Sequence, residues 1–88
     1  MPPVRSVTIT PDSVTLVTVK GTRTLLASDI PQNQNTAAKA ETWANTWLAA
    51  NVLDCQVRVH VFSLSPLSWT CGTWNLGLPI PDGWWLDG

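Results

Sequence analysis

Thr36-Ala37-Ala38-Lys39-Ala40-Glu41-Thr42-Trp43-Ala44-Asn45-Thr46-Trp47-Leu48-Ala49-Ala50, followed after four residues by Cys55-Gln56-Val57-Arg58-Val59-His60-Val61-Phe62, decides how this chain folds. The first segment is rich in alanine and has no proline or glycine. It repeats bulk at Ala40, Trp43, Ala44, Trp47 and Leu48, the spacing of one face of a helix. Trp43 and Trp47 then lie one above the other, and that face is read as packing on a sheet. Asn51 is placed to end the helix in the left-handed conformation. In the second segment Val57, Val59 and Val61 alternate with Gln56, Arg58 and His60, the period of two of a strand with one core face and one wet face.

Toward the N-terminus, Val4–Thr10, Val14–Lys20 and Thr22–Ala27 are rich in β-branched residues and read as a β-meander. Thr10-Pro11-Asp12-Ser13 predicts a type I turn, and Lys20-Gly21-Thr22-Arg23 a type II′ turn with glycine at positive φ. The register these turns impose sets Ile9 opposite Val14 and Val7 opposite Leu16, with Leu25 nearby. Val17 then faces Leu26 on the other side, where Val4 and Val19 also point. Gln32-Asn33-Gln34-Asn35 is a loop with side chains able to cap the helix that follows.

Toward the C-terminus, Ser63–Ser68, with Pro66, reads as a connecting loop and Trp69–Asn75 as a strand returning on 55–62. Leu76–Gly88 carries two prolines and three glycines and reads as extended or turn-rich. The expected fold is α+β: a mostly antiparallel sheet of a β-meander and two later strands, with a single helix on one face. Residues 1–75 form that domain, and 76–88 are a Trp/Pro-rich tail belonging to it.

Six tryptophans in 88 residues, four of them in the last twenty positions, set the functional expectation. At roughly 200 Å² each they offer about 1,200 Å², on the order of 30 kcal/mol gross at about 25 cal/mol per Å². A chain this short buries only about 60% of its unfolded surface, and tryptophan is seldom wholly enclosed. Charged residues are 12% of the chain and the net charge is −1, so exposed faces depend on Thr, Ser, Asn and Gln. Both features point to association with protein.

Other classes find less support. The five basic residues, Arg5, Lys20, Arg23, Lys39 and Arg58, are scattered among six acids, which gives no footprint for nucleic acid. No stretch reaches the roughly 18 to 20 apolar residues of a membrane helix. The start Met1-Pro2-Pro3-Val4-Arg5 does not read as a secretory signal, so synthesis inside the cell is expected, with Cys55 and Cys71 as free thiols. Pairing 55–62 with 69–75 sets Cys71 near Val59, out of reach of Cys55. Cys55 and His60 stand an odd number of positions apart, which argues against a zinc site with Cys71, and no cofactor is expected. His60, the sole histidine, reads as a solvated strand residue. Asp82 and Asp87 read as turn and solvating residues, not as a paired-carboxylate site. No catalytic motif is present, and the chain is read as non-enzymatic.

The tail supports three readings. Its rings fold back and complete the core, or they anchor a neighbouring subunit through Trp74, Ile80, Trp84, Trp85 and Leu86, or Trp74-Asn75 and Asp82-Gly83-Trp84-Trp85 hold a glycan. The cysteine-poor Thr/Val-rich meander, the alanine-rich helix and the tail Pro79-Ile80-Pro81-Asp82-Gly83-Trp84-Trp85 resemble small structural proteins of tailed bacteriophages. The resemblance implies a place in a repeating assembly, in the virion if phage-encoded and otherwise in the cytoplasm. The expectation is therefore a structural or assembly protein that binds like or neighbouring subunits. The alternatives are a small inhibitor or adaptor of one host protein, or a carbohydrate-binding module.

Overall fold

The computed structural model describes residues 4–65, 68–79, 81 and 84. The elements run β1 (Val4–Thr10), β2 (Ser13–Thr18), β3 (Gly21–Leu26), one 3-10 turn (Ala27–Asp29), α1 (Ala37–Asn51), β4 (Val57–Ser65) and β5 (Ser68–Asn75). The fold is α+β, with antiparallel strands and a single helix packed on them. Where one sheet was expected, the described residues form two: a three-stranded sheet in the order β1-β2-β3 and a separate β4-β5 hairpin.

The two sheets bury their facing sides in one core. Val14, Leu16 and Leu25 come from the meander, Val57, Val59, Val61 and Trp69 from the hairpin, and Ala44, Leu48 and Val52 from the helix and its exit. The β1–β2 turn ties the layers together. The Pro11 carbonyl accepts from the Trp69 amide at 2.8 Å and the Asp12 carbonyl from the Ala27 amide at 2.8 Å. Both groups belong to the turn that Thr10-Pro11-Asp12-Ser13 predicts, which the Thr10 hydroxyl closes by donating to Asp12 Oδ1 at 2.7 Å.

The expected pairs Val7 with Leu16 and Ile9 with Val14 are present, but three details of the meander differ. The second turn closes two residues early: β2 ends at Thr18 and pairs with Gly21, leaving Val19 and Lys20 at the tip. Thr18 explains this, since its hydroxyl accepts from the Lys20 amide and donates to the Gly21 carbonyl, while Gly21 takes φ +121°. Val17 consequently opposes Thr22, and Leu26 opposes Ser13. Finally, a bulge at Arg5 shifts the register between Val4 and Ser6, so that Val4 opposes Thr18 and packs against the core instead of pointing outward.

A second bulge shapes the hairpin. β4 runs on to Ser65 and β5 starts at Ser68, so most of the expected 63–68 loop is strand. The register shifts between Val61 and Ser63. The extra residue, Phe62, stays on the outer side beside His60, while Leu64 and Trp69 turn to the core. Cys71 therefore opposes Val61, not Val59.

The helix ends differ slightly from the reading as well. Thr36 caps the start, its hydroxyl accepting from the Lys39 amide at 3.2 Å. Asn51 remains helical and its side chain donates to the Trp47 carbonyl at 2.9 Å. The cap is Val52, at φ −119°, and the residue at positive φ is Asp54. Trp43 and Trp47 pack against the core as partly buried residues. Among the described residues no helix is long and apolar enough to cross a membrane.

Candidate functional site

Antiparallel pairing leaves alternate amides and carbonyls of β4 directed away from β5. The helix takes them up. Asn45, itself buried, donates from Nδ2 to the Val59 carbonyl at 3.0 Å and accepts from the Val59 amide at Oδ1 at 2.8 Å. One turn earlier, Glu41 Oε1 accepts from the Val61 amide at 2.9 Å. The spacings match: four helical residues rise about 6 Å and two strand residues about 6.6 Å. The side chains of Asn45 and Glu41 thus stand where a neighbouring strand would be.

Glu41 also reaches round to the outer face, where its Oε1 lies 2.6 Å from His60 Nδ1. A carboxylate oxygen accepts, so Nδ1 carries the proton. His60 Nε2 is buried and has no hydrogen-bond partner among the described residues. Above it lies Trp84, stacked on the imidazole at 5.6 Å between ring centres and 15° between planes. Phe62 and Trp74 meet Trp84 edge to face at 5.2 and 5.9 Å, the arrangement that opposes a ring's positive edge to another's negative face. His60 is thus a covered residue held by a carboxylate, its side chain only 14% exposed, and not the solvated one expected.

Gly72 makes this possible. It opposes His60 on β5, and a Cβ added there would stand 2.6 Å from Trp84 Cη2 and 2.7 Å from Cζ2. The indole lies directly on the backbone at the one position without a side chain. A glycine inside a strand is the sequence signal for such an approach. Glu41 and Asn45, polar residues four apart on a helix face otherwise read as apolar, are the signal for edge capping. Phe62 and Gly72 had no role in the sequence reading beyond their strand positions, and His60 none beyond a zinc site that the spacing argued against.

Of the anchor residues expected from sequence, the structure brings Trp74 and Trp84 together in this cluster, both half-buried. Ile80, Trp85 and Leu86 lie outside the described residues. Trp69 is core, 4% exposed, with its ring nitrogen buried and unpaired among the described residues. Trp74 and Trp84 cross edge to face at 84°.

The Glu41–His60 pair has the form of an oriented base, but its free nitrogen is closed off and hydrogen-bonds to nothing among the described residues. Cys71 lies on the opposite side of the hairpin, packed against the core, where burial pushes its thiol up to about 11. A thiol so held is protonated at neutral pH and a poor nucleophile. Both cysteines are free. Among the described residues no group of three His, Cys, Asp or Glu is placed to hold a metal ion.

No family model matches this chain, nor does any curated protein or solved structure.

Proposed function

We propose that this is a non-enzymatic assembly protein whose tail binds a neighbouring subunit, in keeping with the resemblance to small virion components of tailed bacteriophages. One observation carries the reading. Trp84 is clamped between Gly72 and the His60, Phe62 and Trp74 rings, and the next residues in the sequence are Trp85 and Leu86. The anchoring function divides accordingly: Trp84 fixes the root of the tail to its own hairpin, and Trp85 and Leu86 are the anchors offered to the partner. A root already fixed loses less freedom when its neighbours bind, which favours affinity.

The outer side of the meander supports the same reading. The registers place Ser6, Thr8, Thr10, Ser13, Thr15, Val17, Thr22, Thr24 and Leu26 on one face. No charged residue stands among them, and Val17 and Leu26 are about 40% exposed. Such a face suits burial against another subunit with little charge to desolvate.

The test is sedimentation velocity across a wide concentration range on the full chain and on a Trp85→Ser/Leu86→Ser variant. Concentration-dependent association of the parent, weakened at least tenfold in the variant with an unchanged melting temperature, is expected. A parent that stays monomeric at the highest concentration, or a variant that unfolds, overturns the proposal.

A further inference from the structure

The meander and the end of α1 enclose a cleft of about 210 Å³, lined by Thr18, Val19, Lys20, Arg23, Asn51, Val52 and Leu53. It is smaller than the roughly 300–1,000 Å³ of small-molecule sites and is scaled to a few side chains. Its chemistry is of two kinds. Val19 and Leu53 are apolar and 51% and 65% exposed. Lys20 and Arg23 are two of the five basic residues, and among the described residues neither is in a salt bridge. Arg23 instead turns its guanidinium to the Thr22 carbonyl.

The rest of the chain holds a segment of complementary character. After Arg58 no basic residue occurs, and the only charges are Asp82 and Asp87. Asp87 directly follows Trp85-Leu86, so two large apolar side chains are succeeded by one carboxylate. We infer that the cleft between the β2–β3 turn and the C-terminal end of α1 receives Trp85-Leu86-Asp87 of a second copy of this chain, the apolar pair against Val19 and Leu53 and the carboxylate between Lys20 and Arg23. This rests on the assembly reading above and names the surface that the tail engages.

The donor is another copy because of distance. Trp84 sits on the outward face of the hairpin, over Gly72. The cleft opens on the core side of the meander, since Arg23 opposes Leu16 and Val52 belongs to the core. The three residues from Trp84 to Asp87 span at most about 10 Å. Packed sheets are already about 10 Å apart, so a tail rooted at Gly72 falls short of its own cleft. Tail and cleft are different surfaces, so two copies exchange tails in a closed dimer or successive copies join head to tail in a ring or filament.

Charge exchange tests this on the full chain. One variant carries Lys20→Glu and Arg23→Glu, the other Asp87→Lys. Each alone is expected to associate at least tenfold more weakly than the parent at low salt, with an unchanged melting temperature. Mixed in equal amounts, they restore association, because each reversed cleft meets a reversed tail and each native cleft a native tail. If the parent associates but the mixture is no better than its separate components, the cleft assignment is overturned while the assembly reading stands. If the parent does not associate at all, both fall. The Asp87→Lys variant leaves the cleft residues untouched, so the experiment does not depend on the cleft variant alone keeping its fold.

Discussion

The meander and the β4–β5 hairpin are both antiparallel and both feed one core, yet they are finished in opposite ways. Three strands give the meander enough internal pairing to leave its outer face bare, as a field of threonine and serine hydroxyls with cross-strand contacts from Thr10 to Ser13 at 2.7 Å and from Thr15 to Thr24 at 3.3 Å. Two strands are marginal by themselves, and here every other side of β4 is occupied. Its inner face meets the core, its free edge meets Asn45 and Glu41, and its outer face lies under Trp84. The contrast shows what a small sheet requires: the fewer its strands, the more of its surface other elements must cover.

Substitutions can break or sharpen that contrast. The largest effect is expected where the two sheets are not distinct. Leu16→Ala opens a cavity beneath a fully buried side chain, and should lower the unfolding free energy by about 3 to 4 kcal/mol. In urea, tryptophan fluorescence and far-ultraviolet circular dichroism should move together. Separate transitions would mean that the sheets fold independently.

Next comes the hairpin's edge. Asn45→Ala strands the amide and carbonyl of Val59 and should destabilise by about 2 to 3 kcal/mol. Amide exchange at Val59 should rise more than at Leu16, whose protection comes from strand pairing alone. Equal acceleration at both sites would contradict the edge-capping role.

Gly72→Ala targets the roof. The added methyl displaces the Trp84 ring and should cost about 1 to 2 kcal/mol, within the usual range for overpacking, with a red shift in tryptophan emission. In a Trp84→Ala background the same change should cost nearly nothing, and that non-additivity in a double-mutant cycle is the measurement. By contrast Thr15→Val and Thr24→Val, on the bare face, should stay within about 0.5 kcal/mol.

A pH series separates the core side from the outer faces. Burial raises the Cys71 thiol to about 11, so the folded chain holds that proton more tightly than the unfolded one. The associated stability is complete below the ordinary thiol range, near 8.5, and is lost as pH climbs through about 11. Cys71→Ala should flatten stability over that alkaline window. An unchanged slope would place the titration elsewhere.

Much of this architecture was legible in the sequence because it depends on periodicity. The alternation of Val57, Val59 and Val61, the helical spacing from Ala40 to Leu48 and the Pro11-Asp12 turn each encode an element locally. Features fixed by single side chains acting across the fold were not legible. No pattern in β1 marks the bulge that turns Val4 inward, and the hydroxyl of Thr18 moves a turn away from the place its glycine indicates. His60 looked solvated because alternation assigns a face but says nothing of what covers it. Its cover, Trp84, arrives from twelve residues beyond Gly72, and its holder, Glu41, from the helix before it. The seat of Trp84 was hidden for the same reason: the tail reads as one aromatic cluster, and only Gly72 distinguishes the ring that lies on it.

A carboxamide is a peptide group detached from any backbone, and at Asn45 the protein uses one to impersonate a third strand. With Val59 bonded on both sides and the Val61 amide taken by Glu41, the middle of β4 is blunted as a template. Edge-to-edge growth of the kind that leads to fibrils is therefore hindered at that point, which favours joining copies of this chain through side-chain surfaces or through its remaining rims.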